Sequence, residues 1–254
     1  MKEFFGFGGY TREPEGYMSW QHLVFVTGLM VVMTLLAIVL GKKAKNKNKP
    51  LIWAAILIDS IELFKIGMMC LRANDPMGWT SELPLFLCSI QLITIPLAAF
   101  SSGRVKEAAM DFVCIFGILG AVLGTYGAGQ NYAAYPVLSL DNVASGITHS
   151  ISGFASLYIL ISGQASMKKK NIGITFGILL FFAVAAYVVN PIVDGNYMFL
   201  RRGDGTPYDI LFHLVKGNQI AYPVMVVVLF LVYIVLYYGI FFLIRSRKRV
   251  KTAA

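Results

Sequence analysis

Seven windows of mostly apolar residues, each close to bilayer length, constrain this 254-residue chain more than any other feature. They run Trp20–Leu40, Leu51–Leu71, Leu83–Phe100, Ala108–Tyr126, Gly146–Gly163, Ile172–Val193 and Tyr222–Ile244. A hydrocarbon core about 30 Å thick takes about 20 helical residues to cross. With 57% hydrophobic and 14% charged residues, the chain has too little charge for a water-soluble domain of this size. The expectation is an all-α, polytopic membrane bundle of seven transmembrane helices. It divides into an extracytoplasmic segment 1–19, a transmembrane domain 20–244 and a basic tail 245–254. The first window is too long, and lacks the small-residue cleavage site, for a cleaved signal peptide, so it reads as a retained span.

The net charge of +9 points to topology rather than to nucleic acid. Most of the 22 Lys and Arg fall in alternate connections: the Lys42–Lys49 loop, Arg104 and Lys106, Lys168–Lys170, and the tail from Arg245. Acidic residues show the reverse bias. The positive-inside rule then places the N-terminus outside and the C-terminus in the cytoplasm. The setting expected is a cell membrane, taken as a bacterial cytoplasmic membrane. Membrane lipids are the expected partners, with no nucleic acid and no protein partner. No metal-ligand spacing and no cofactor motif is visible. Cys70, Cys88 and Cys114 fit neither a disulfide framework nor a zinc pattern.

Polar side chains in hydrocarbon are costly and call for an explanation. The second span carries Asp59, Glu62 and Lys65 at a spacing of three, which shares one helix face. That pattern serves either an internal salt bridge or the polar wall of a cavity. The third span opens SELPLFLCSIQ, with Pro84 suited to a first helical turn and Cys88 just inside the outer boundary. Cys70 and Cys114 read as small buried hydrophobes. The fifth span opens GITHSISGF, which puts His149 at a depth matching Cys88. A thiol whose ordinary pKa is about 8.5 is mostly protonated at neutral pH and needs a base to act as a nucleophile. Cys88 and His149 are the candidate nucleophile and base. Gln91, Asn190, Asn196 and Tyr197 are candidates for binding substrate or an oxyanion. Capping and turn formation is the competing reading of the two asparagines. The outer stretch RRGDGTPYDILFHL reads as a loop containing a short interfacial helix.

Three blocks in order resemble the transmembrane protein 164 / YwaF-like integral membrane proteins. They are Glu82-Leu83-Pro84-Leu85-Phe86-Leu87-Cys88; His149 with Gly153, Leu157 and Tyr158; and Gly195-Asn196-Tyr197-Met198-Phe199-Leu200 with Pro207. The resemblance implies a Cys-dependent phospholipid acyltransferase with Cys88 as nucleophile and His149 as its partner. It also implies a likeness in fold to membrane hydrolases of fatty-acid esters. Phe86 stands where that family's pattern has a histidine, so any role of that histidine is absent here. The function expected is therefore a Cys/His acyltransferase acting on lipid acyl esters near the outer leaflet. A lipid ester hydrolase using the same pair is the first alternative. A non-enzymatic transporter or receptor built on Asp59, Glu62 and Lys65 is the second.

Overall fold

The computed structural model describes the backbone of residues 2–253 and the side chains of residues 3–246. Among them there is helix and no strand. The order is α1 Lys2–Phe5, α2 Trp20–Lys43, α3 Lys49–Ala73, α4 Gln91–Phe100, α5 Gly103–Thr125, α6 Gly129–Ala134, α7 Leu140–Ile161, α8 Ile172–Ile192, α9 Tyr208–Leu214 and α10 Ala221–Ala253. The chain forms two compact units, residues 1–165 and 166–254.

Five stretches, centred on α2, α5, α7, α8 and α10, are long and apolar enough to cross a membrane. Two of the seven expected spans do not meet that description. The 25-residue α3 has the length, but Asp59, Glu62 and Lys65 interrupt its apolar run. The third window shortens to α4, whose 10 residues rise only about 15 Å, half a hydrocarbon core. Pro84 does not start a helix here. It drives Leu83 away from helical geometry, and residues 82–90 pass through successive turns before α4 begins. Leu85 N–H donates to Leu83 O, while the Ser89 hydroxyl and Ile90 N–H both donate to Phe86 O. The Ser89 hydroxyl thus shares a carbonyl that a regular helix would use for its own ladder.

The other ends are set by identifiable signals. Ser19 caps α2 by accepting from His22 N–H, and Lys42 and Lys43 close its last turn, where cations suit the helix dipole. Asn74 ends α3 in the left-handed conformation at φ 50°. Ser139 caps α7 by accepting from Asn142 N–H. This helix therefore starts six residues before the expected Gly146, and His149 lies in its third turn rather than its first. The basic tail does not separate from the last helix, because α10 continues to Ala253. The side chains of residues 247–254 lie outside the described residues.

In the first unit α5 packs along α7, α7 also contacts α2 and α3, and α4 wedges between α3 and α5. Glycines permit the closest approach. A Cβ on Gly117 of α5 would lie 2.6 Å from the Ser152 carbonyl oxygen of α7. The N-terminal segment is fastened to this unit. Tyr10 donates to Asp141 at 2.5 Å, Arg72 donates to both Asp141 oxygens at 2.7 and 2.9 Å, and Val137 N–H donates to Glu15. In the second unit α10 packs against α8 and α9. The short helix expected in the last outer segment is α9.

Candidate active site

Cys88 sits on the turn-built segment three residues before α4, and His149 sits on α7. The fold brings them together: both line one cavity, and the thiol and the imidazole are near enough to interact. Two glycines of α5 make the room. A Cβ on Gly120 would stand 3.4 Å from Cys88 Cβ, ordinary contact distance. A Cβ on Gly124 would stand 1.9 Å from His149 Cδ2 and 2.1 Å from Nε2, so the ring occupies the space of a missing side chain. Four residues apart on a helix is about 6 Å along its axis, on one face. Cys88 and His149 thus lie side by side on a strip of bare α5 backbone.

The ring has a defined orientation. His149 Nδ1 lies 2.7 Å from the Ser145 carbonyl oxygen. A carbonyl only accepts, so Nδ1 carries the proton and the lone pair is on Nε2. The role that a carboxylate plays in many nucleophile–base–orienter sets is taken here by a backbone carbonyl one turn earlier in the same helix.

Both residues open onto a cavity of about 300 Å³. The α7 side of its wall is polar, with Asp141, Ser145, Thr148 and Ser152 along one stripe of the helix. Ile58, Met69, Leu83, Phe86 and Leu92 supply apolar wall. Phe86 lines this cavity, so a histidine at its position would stand in the wall of the same site. Irregular backbone at membrane depth is tolerated where protein buries it or where it lines a cavity. Leu83, Phe86, Cys88 and Ser89 of the turn-built segment line the cavity.

The expected charged cluster is rearranged. Lys65 Nζ lies 2.7 Å from Glu62 Oε1 and 2.9 Å from Glu82 Oε2, and all three line the cavity. Asp59 is not part of it: it does not line the cavity, and its Oδ1 is buried without a hydrogen-bond partner. Asp59 lies one turn before Glu62 on α3.

The candidate oxyanion amides are placed differently from expectation. Gln91 is fully buried at the start of α4; its Oε1 accepts from Thr94, its Nε2 has no partner, and it does not line the cavity. Asn190 donates to Tyr197 O and accepts Tyr197 N–H at 2.6 Å, closing the turn after α8. Asn196 spends its amide nitrogen on Arg202 O and Asp204 Oδ2, and its oxygen accepts from Arg201 and Arg202 N–H. These asparagines, with the buried Tyr197, form the scaffold of the 190–204 loop within the second unit. That is the capping and turn reading, and Asn196 has no N–H left for an oxyanion. The residues not anticipated are Gly120, Gly124, Glu82 and Ser145.

The model of the TMEM164 family matches residues 17–241. The chain belongs to the TMEM164 family. Neither a curated protein nor a solved structure matches it. Family membership and the apolar helices together make it a multi-pass membrane protein. The TMEM164 match takes in Cys88, His149, both α5 glycines and the whole cavity wall, whereas Tyr10 and Glu15 lie before it.

Proposed function

We infer that this protein is a membrane-embedded acyltransferase that uses Cys88 and His149 on lipid acyl esters. The observation that supports it most is the juxtaposition of the Cys88 thiol and the His149 imidazole at the wall of one cavity, with the imidazole tautomer set by Ser145 O. In the reaction, the Cys88 proton passes to His149 Nε2 and the sulfur attacks the ester carbonyl carbon. The tetrahedral adduct collapses by breaking its C–O bond, and the leaving alkoxide takes the proton back from the imidazolium. A thioester remains on Cys88. A hydroxyl of a second lipid then gives its proton to His149, its oxygen attacks the thioester, and the thiol is restored. Water in place of that hydroxyl gives hydrolysis by the same pair, and the apolar wall favours transfer by limiting water.

A cavity of about 300 Å³ is at the small end of ligand pockets. It suits the ester linkage and part of a headgroup, with the acyl tails left in the bilayer. The topology we favour counts α3 as a span whose charges face protein. It counts residues 83–100 as a broken span, half turns and half helix. Seven spans, with the basic connections in the cytoplasm, put Cys88 and His149 in the outer half of a bacterial cytoplasmic membrane. The Glu62–Lys65–Glu82 group also suits the polar wall of a transport pathway, a second reading in which Cys88 is dispensable.

The test is a trapped intermediate. The protein is incubated with vesicles containing phospholipid carrying a labelled acyl chain, quenched in acid and digested. Wild type yields a hydroxylamine-labile adduct on the Cys88 peptide; Cys88→Ala and His149→Ala do not. Label on a hydroxyl residue, or lipid turnover that survives Cys88→Ala, overturns the proposal.

A further inference from the structure

The segment that carries the nucleophile has no helix or strand to hold it. Between Glu82 and Ile90 it is a run of turns. Its end at Gln91 is fixed by α4, and its middle rests on Gly120. Its beginning is held by the Glu82 N–H, which donates to Trp79 O at 3.0 Å, and by charge on the Glu82 side chain. Glu82 Oε2 lies 2.9 Å from the Lys65 ammonium on α3, and that ammonium is also held at 2.7 Å by Glu62, one turn earlier on its own helix. Only 11% of the Lys65 and Glu62 side chains is exposed, and 27% of Glu82. The ammonium is also close enough for its charge to act on the His149 imidazole.

From this arrangement we propose that Lys65 is a positioning residue: by holding Glu82 against Glu62 it fixes the Cys88 segment at the distance from His149 that proton transfer between thiol and imidazole needs. This rests on the Cys88/His149 reading of the site. Two features make Lys65 more than a surface pair. First, the group has two carboxylates for one ammonium. Removing the cation therefore does not simply loosen Glu82; it leaves two like charges facing each other in a poorly hydrated wall, and Glu82, on the less ordered element, is the one that must leave. Second, Glu82 and Cys88 are six residues apart with no regular hydrogen-bonded ladder between them, so a displacement at Glu82 is not absorbed by a rigid element before it reaches the sulfur. The pairing depends on an ammonium and a carboxylate being opposite one another, not on which element carries which. Exchanging them keeps both the net charge and the tie.

The experiment uses the full chain in lipid nanodiscs, comparing wild type, Lys65→Glu, Glu82→Lys, the double exchange and Lys65→Arg. Two rates are read: alkylation of Cys88 by iodoacetamide, located by peptide mass, and formation of the acyl-Cys88 thioester. A coupled pair gives strongly non-additive changes. Lys65→Glu is expected to slow both rates by about tenfold or more, and the double exchange to return both to within about threefold of wild type. Lys65→Arg keeps the cation and stays near wild type. If Lys65→Glu fails to give a cooperative melt, the exchange variant carries the test, since a folded and reactive double variant requires the pairing. Unchanged Cys88 alkylation in a folded Lys65→Glu protein overturns the proposal, as does a double exchange no better than Lys65→Glu. A wild type that never forms the thioester, but whose Cys88 alkylation follows this pattern, supports the clamp and overturns acyl transfer.

Discussion

Replacing Gly124 by alanine adds one methyl group, and the geometry says where it goes. The new carbon would stand 1.9 Å from His149 Cδ2 and 2.1 Å from Nε2. Carbon atoms in contact prefer about 3.5–4.0 Å, so the ring must retreat by roughly 1.5 Å. It cannot do so while keeping Nδ1 on Ser145 O and the ring beside the Cys88 thiol. A misplacement of about 1 Å in a catalytic group costs on the order of 100-fold. Gly124→Ala is therefore expected to lower the rate of acyl-Cys88 formation by about 100-fold or more. Folding should suffer less, because alanine is favoured over glycine within a helix by about 1 kcal/mol and offsets part of the clash. Gly120→Ala is the control. Its Cβ would meet Cys88 Cβ at 3.4 Å, ordinary contact, so activity should stay within about threefold. The assay is acid-quenched thioester formation on vesicles, with a thermal melt of each variant beside it. A Gly124→Ala protein that keeps wild-type rates refutes the placement of the imidazole against α5. Equal losses in the two variants refute the distinction between them.

Two further expectations concern the contacts of the N-terminal segment within the first unit. Asp141→Ala removes the only carboxylate the Arg72 guanidinium is paired with among the described residues, leaving it Tyr10 OH and Phe5 O; losses of about 3 kcal/mol are usual for breaking such a pair. It should lower the melting temperature and speed tryptic cleavage after Arg12, whereas unchanged cleavage would mean that the N-terminal segment is held by something else. Burial, then the hydrogen bond to Asp141 and its negative charge, push the Tyr10 phenol up to about 12. Since the neutral form is favoured in the folded state, its stabilising contribution is full below the ordinary phenol value of about 10 and disappears as pH rises through about 12. A tyrosinate titration of wild type minus Tyr10→Phe should show a phenol ionising near pH 12, and one ionising near 10 would contradict the contact.

Cys88 and His149 were visible in the sequence because a thiol and an imidazole are conspicuous in apolar runs, and depth alone matched them. The glycines that join them were not singled out. A glycine in an apolar helix signals close approach without saying what approaches. The Gly120–Gly124 spacing is the small-residue pattern of tightly packed membrane helices, and it is the signal that was available. Glu82 was hidden for a different reason. It lies just before the third apolar window, and its partner is a lysine 17 positions earlier, which spacing along the chain does not reveal. Apolar length was a sound guide to α2, α5, α7, α8 and α10. It failed at α4 because hydropathy is blind to the backbone: residues 83–90 are apolar enough to span but are bent into turns. Asn190 and Asn196 were ambiguous from sequence, since the same amide can serve an oxyanion or a loop, and only the partners of each atom decide.

The most direct test of the thiol–imidazole pair is the alkylation rate of Cys88 relative to Cys70 in the same molecule, before and after His149→Ala. Cys70 is partly exposed and serves as the internal reference, while Cys114 is fully buried. With Nε2 of His149 accepting its proton, Cys88 should react well ahead of Cys70 in wild type. It should fall by about tenfold or more in the variant, the usual size of a lost general base. Equal rates for the two cysteines, or a Cys88 rate indifferent to His149, would contradict a base-activated nucleophile at this site.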